Sequence, residues 1–143
     1  MKSPERIYYR RQLLAVIIRG SVPVSTTTFY SPTLAPLQIG TISKKRGDII
    51  RPHIHNEPVK TVRTTQEVLV IEKGKLLVDL YASNGKRVYQ TTLSAGDKIF
   101  LVAGGHGFTV IQNTRIFEVK QGPYPGYDKA KKYLDKDRNH DTG

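Results

Sequence analysis

Hydrophobic residues in this chain fall in short runs broken by turn residues, not in stripes of helical period. "LLAVIIR" (13–19), "TFYS" (28–31), "LQIGTIS" (37–43), "EVLVIEKG" (67–74) and "KLLVDLYA" (75–82) are rich in β-branched and aromatic residues. So are "RVYQTTL" (87–93), "KIFLVAG" (98–104), "HGFTVIQ" (106–112) and "RIFEVKQ" (115–121), with Gly, Pro, Asn and Ser between them. That is the composition of strands and their turns. Within "KLLVDLY" a period of two puts Leu76, Val78 and Leu80 on one face and Lys75, Leu77, Asp79 and Tyr81 on the other. "SNGK" (83–86) then supplies the Asn-Gly pair that a tight hairpin favours. Many short strands at regular spacing predict an all-β sandwich or barrel. Only "DKAKKYLDK", Asp128 to Lys136, reads as a helix, and "DRNHDTG" after it reads as a frayed tail. No repeat or interdomain linker interrupts the pattern, so residues 1–143 are expected to form one domain.

Composition narrows this picture. The 143 residues, 38% hydrophobic with a mean hydropathy of −0.41, suit an ordinary globular protein with a respectable core. No apolar run approaches the length that spans a bilayer. The apolar run Leu13 to Ile18 follows a basic stretch, but it is shorter than a secretory core and ends at Arg19 without a small-residue cleavage site. It is expected to be a strand of the mature protein. Cysteine is absent, which excludes a disulfide framework and any thiolate chemistry and fits the cytoplasm, the expected location. The net charge of +11 is spread thinly, its densest run being Lys44 to Arg46. A solvated surface accounts for it first and attraction to anionic small molecules second. Without a helix-turn-helix, zinc finger or aromatic-basic sheet motif, nucleic acid is not an expected partner.

Candidate chemistry centres on "RPHIHNEP", Arg51 to Pro58. In a strand, Arg51, His53 and His55 share a face, and two imidazoles on one face can chelate a single ion. Glu67 opens a strand whose interior should be apolar, so its carboxylate needs a reason to be there. His106 lies in "AGGHGF", where Gly104, Gly105 and Gly107 allow close backbone approach and leave room around the imidazole. His140, the fourth histidine, falls in the tail and reads as solvated.

The spacing "GDIIRPHIH…EVLVIEKG" runs Gly47, five residues, His53-x-His55, a loop, Glu67, six residues, Gly74. It resembles the first motif of the cupin superfamily, G-x5-H-x-H-x3,4-E-x6-G. "GDKIFLVAGGHGF" resembles the second motif, which begins with Gly and reaches a His through a turn. The loop from His55 to Glu67 is longer than that pattern, and Val102 stands where proline is usual. "EVKQGPY" with "LVAGGHGF" is similar to small single-domain cupins associated with surface-polysaccharide or nucleotide-sugar pathways. The resemblance implies a double-stranded β-helix, a jelly-roll barrel over about residues 36–122, with extra N-terminal strands and a short C-terminal helix. It makes His53, His55, Glu67 and His106 the metal-ligand positions, a donor set suited to Fe, Mn, Zn or Ni.

Around that set, Arg51 would point into the barrel, to meet either an acid such as Glu118 or an anionic ligand. Lys60 and Arg63, in the long loop, are candidates to meet a phosphate at the rim, or are solvated. Tyr81, Phe100 and Phe108 either form a stacking wall or pack in the core. Of Lys120 and Gln121, strand periodicity lets only one face inward. The resemblance, taken with these residues, implies three functions. The first is a metal-dependent isomerase or dioxygenase acting on a small anionic molecule such as a sugar phosphate or nucleotide-sugar. The second is a metal-free dTDP-sugar-type epimerase or ketoisomerase, with His53 and His55 as acid and base and Tyr81 or Tyr89 as proton donor. The third is a non-catalytic small-molecule-binding protein. A homodimer is expected, since cupins commonly pair through N-terminal strands and "LLAVIIR" would otherwise be an exposed apolar edge.

Overall fold

The structure, a computed structural model, describes residues 3–134. It is nearly all β, as the alternation predicts. The strands are β1 (Glu5–Tyr9), β2 (Gln12–Ile18), β3 (Thr28–Phe29), β4 (Gly40–Thr41), β5 (Glu67–Tyr81), β6 (Arg87–Ser94), β7 (Lys98–Leu101) and β8 (Gly105–Lys120). β3 and β4 form a small ladder of their own, and the other six make one antiparallel sheet. β5 is its hub. Along one side its first half pairs with β7 and its second half with β6, while β8 runs the whole length of the other side. β2 joins β7 and carries β1 at the outer edge.

The sheet is curled into a half-barrel, and the curl originates at a corner in β5 and β8. The runs 67–74 and 75–82, which read as two strands, are one strand bent around Gly74. The β5–β8 register shifts three times between Ile71 and Leu76, which is how bulges bend a ladder. Gly74 takes φ +87°, and a side chain there would strike the backbone carbonyl of Asn113 on β8. Glycine is the residue that permits both.

The inward face carries the larger core. Ala15, Ile17, Leu69, Ile71, Ile99 and Leu101 from one side of the corner meet Leu76, Val78, Leu80 and Leu93 from the other. A second cluster, Val16, Ile18, Phe100 and Tyr30 with Leu37, Ile39 and Val68, covers the outward face. Residues of β2 alternate between the two clusters, so Leu14 to Ile18 are all buried. The "LLAVIIR" run is therefore no exposed edge: β1 covers one side of it and β7 the other. Phe100 is core as well, not a stacking wall. At the end of β2 the Arg19 guanidinium ties three strands. It donates to Glu5 Oε1 at 2.6 Å, the Thr92 carbonyl at 2.7 Å, Thr91 Oγ1 at 3.0 Å and Asp97 Oδ2 at 3.3 Å.

The helix expected over 128–136 is a single turn, α1 (Tyr127–Ala130), after which Lys131 is extended. It buries no residue and has no side-chain cap, and so short a helix has little stability of its own. Residues 135 and 136, the tail and His140 lie outside the described residues. Among those described, no helix is long and apolar enough to cross a membrane.

Candidate functional site

The corner creates a meeting point. In register, Glu67 faces Lys120 and His106 faces Leu80, thirteen residues further along β5. A straight strand would hold those positions about 43 Å apart at ~3.3 Å per residue. Instead His106 Nε2 lies 3.5 Å from Glu67 Oε2. They meet in a cavity of about 260 Å³ inside the half-barrel. Leu69, Phe108 and Ile116 form its apolar wall, and Glu118, Lys120 and Lys131 add charge. Period-two alternation selects the β8 members: 106 and 108 before the corner, 116, 118 and 120 after it. Phe108 packs against the imidazole with ring centroids 5.4 Å apart.

The cavity shifts both central groups toward neutrality. Burial pushes the Glu67 carboxyl above the ordinary carboxylate range, and the Glu118 charge and hydrogen bond push the same way, against Lys120 and Lys131. Burial pushes the His106 imidazole below its ordinary value. Lys131 and Lys120 add to that shift, while Glu118 opposes it. At 3.5 Å the His106–Glu67 contact is long for a hydrogen bond. The two groups leave donor atoms available to a third party, whether an ion or a substrate.

The other proposed ligands are elsewhere. Residues 49–66 form no strand, and His53 and His55 lie exposed on that segment. Their rings contact edge to face, centroids 5.0 Å apart, and His53 Nδ1 lies 2.7 Å from the Arg51 carbonyl. The four candidate ligands thus stand as two pairs, and among the described residues no group of three or more metal-type side chains is assembled. Their chemistry suits a transition metal; their arrangement here is not one ligand shell. A physical reason is visible: Pro52 and Pro58 lack amide protons, and among the described residues the segment is paired with no strand.

The remaining candidates divide. Phe108 lines the cavity; Tyr81 sits at the far end of β5, beside Gly105 and Gly107. Arg51 is exposed and, among the described residues, pairs with no acid, Glu118 included. Lys60 and Arg63 line a larger, open groove of about 540 Å³ against Thr33–Gln38, where Leu37 packs on the outward cluster. That groove holds no carboxylate or imidazole, so the smaller cavity is the better candidate for chemistry. Tyr89 donates to Glu5 Oε2 at 3.3 Å, in a structural role. Lys120 faces the cavity, while Gln121 turns away to accept from the Gln66 amide at 2.7 Å, so only one of the two faces inward. Sequence reasoning missed Lys131 altogether. It took Glu118 only as a partner for Arg51, although even numbering along "RIFEVK" aligns Glu118 with Lys120.

The site therefore belongs to a strand-rich half-barrel with an acid–imidazole contact at its mouth. No known protein family matches the chain, and no curated protein or solved structure is detectably similar to it.

Proposed function

We propose that this chain is a small jelly-roll cupin that binds a divalent transition metal through His53, His55, Glu67 and His106 and takes up a small anionic molecule. One observation carries the reading: the strand that bears His106 has a free edge. Among the described residues β8 pairs with β5 alone, and an unpaired edge is a template for another strand. The segment that bears the histidine pair lacks what that edge offers, for among the described residues no backbone-to-backbone hydrogen bond engages residues 49–65. Both also expose apolar side chains: Val110, Ile111, Phe117 and Val119 on β8, and Ile49, Ile50, Ile54 and Val59 on the segment. Burying one such side chain is worth about 1.5–3 kcal/mol. Addition of the segment to β8 would satisfy both and extend the half-barrel toward a barrel. Adjacent strands lie about 4.8 Å apart, which brings an imidazole of the segment within reach of an ion held by His106 and Glu67.

A bound metal would supply Lewis acidity toward a carbonyl or phosphoryl oxygen. The chain's own part is to hold the donors, to exclude water with Leu69, Phe108 and Ile116, and to carry a proton on Glu67 or Glu118. A second reading rests on the His106–Glu67 contact as it stands. Without a metal, the pair is an acid and a base side by side on the wall of a small cavity, as in a metal-free epimerase or ketoisomerase. Cytoplasmic location and a homodimer complete the proposal.

Elemental analysis of tag-free protein decides between the readings. Near one equivalent of Fe, Mn, Zn or Ni is expected, lost in His53→Ala, His55→Ala and His106→Ala while the circular dichroism spectrum persists. Full metal retention in both His53→Ala and His55→Ala would refute the ligand set. Absence of metal after reconstitution would leave the acid–base reading.

A further inference from the structure

We propose that Lys131, seconded by Lys120, anchors an oxyanion in the Glu67–His106 cavity, so that the site takes a small molecule bearing a phosphate or a carboxylate. The inference rests on the reading of this cavity as the binding site and names the residues that recognise the ligand.

Lys131 comes from the segment after α1, beyond the end of β8, yet it lines the cavity. Its charge acts on both Glu67 and His106. Lys120 has a partner, Glu118 Oε1 at 3.5 Å, whereas among the described residues Lys131 makes no ion pair and no hydrogen bond. An ammonium at a cavity wall that makes no ion pair is suited to receive an anion. Its position is built into the fold. Three residues on, Leu134 packs so closely over Gly105 that a β-carbon there would lie 2.8 Å from Leu134 Cδ1. Glycine before His106 thus seats the strap that carries Lys131.

The volume, about 260 Å³, is below the ~300–1,000 Å³ of sites for drug-sized ligands. A small metabolite fits, its carbon skeleton against Phe108 and its oxyanion toward Lys131.

The test is calorimetric titration with inorganic phosphate and with malonate at low ionic strength, on metal-free and Mn-loaded protein. Wild type is compared with Lys131→Ala, Lys131→Arg, Lys129→Ala and Lys132→Ala. Lys131→Ala should weaken binding about tenfold or more, the worth of one charge-assisted hydrogen bond. Lys131→Arg should retain most of the affinity, and the two flanking variants should change it less than about twofold, a screened surface effect. Preference for phosphate or malonate identifies the ligand class. If Lys131→Ala behaves like Lys129→Ala, or wild type binds neither anion in either form, the anchor is wrong. A chain that takes up no metal yet binds an anion through Lys131 would sink the metal reading and keep the anchor. Metal uptake with anion binding indifferent to Lys131 would do the reverse.

Discussion

Substitution of Gly74 by alanine tests whether the β5–β8 corner builds the site. Two costs apply. Gly74 has φ +87°, and a residue with a β-carbon loses about 1–2 kcal/mol in that left-handed region. The new methyl group also meets the Asn113 carbonyl and the Thr114 hydroxyl across the corner. Backbone displaced to relieve such overpacking costs about 1–3 kcal/mol more. Gly85 provides the control, because it has φ +84° but nothing near its absent side chain. Gly85→Ala should therefore lose about 1–2 kcal/mol and Gly74→Ala about 2–5 kcal/mol. Their difference isolates the contact across the corner. Urea denaturation followed by circular dichroism suits a chain without tryptophan, and the midpoints give the two values at a common slope. Clearing Asn113 also moves β8 from β5, so the His106 imidazole resonances should shift in Gly74→Ala and stay in place in Gly85→Ala. Equal losses of stability, or an unmoved His106, would refute the idea that a tight corner at Gly74 brings Glu67 and His106 together.

Two further predictions concern buried charge. Arg19→Ala strips Glu5 and Asp97 of their shared cation and should cost about 3–5 kcal/mol; a thermal melt showing under about 1 kcal/mol would mean the cluster is solvated. In metal-free protein Glu67 and His106 should give stability opposite dependences on pH. The folded value of Glu67 is raised above 4.5, so its contribution is full below pH 4.5 and lost as pH rises through the folded value. Glu67→Gln should therefore gain stability relative to wild type from pH 4 to pH 7, and an equal difference at both pH values would contradict the shift. The folded value of His106 is depressed below 6.5, so wild type loses stability as pH falls through 6.5 toward it. His106→Asn should be free of that loss, which parallel pH–stability curves for the two proteins would disprove.

The strands were legible because a half-buried ladder imposes period two on its side chains, and Leu76, Val78 and Leu80 show it plainly. The place of β2 was misread as an apolar edge awaiting a dimer partner, although a different rule applies to it. An unbroken apolar run such as "LLAVII" marks a strand covered on both faces, so it belongs inside the sheet and not at its edge. Gly74 was visible only as a boundary, since a glycine that ends a strand and one that bends it look alike in sequence. Lys131 could not be read at all. Its position depends on Leu134 finding Gly105, a tertiary contact with no local signature.

The histidine pair stands between these cases. Placing His53 and His55 on one face presupposes a strand, and a strand requires a partner to satisfy its amides and carbonyls. Alternation supplies the face but cannot supply the partner. Among the described residues the free edge of β8 and the unpaired segment 49–65 present the same deficit from two sides. Exposed isoleucine and valine side chains lie on both, so the hydrophobic effect and backbone hydrogen bonding favour the same union. If they join, the strand that Pro52 and Pro58 make difficult to form alone is formed by its neighbour, and the pairing that completes the sheet also delivers the imidazoles. Metal binding and completion of the barrel would then be one equilibrium, and added metal should raise stability as any ligand of the folded state does.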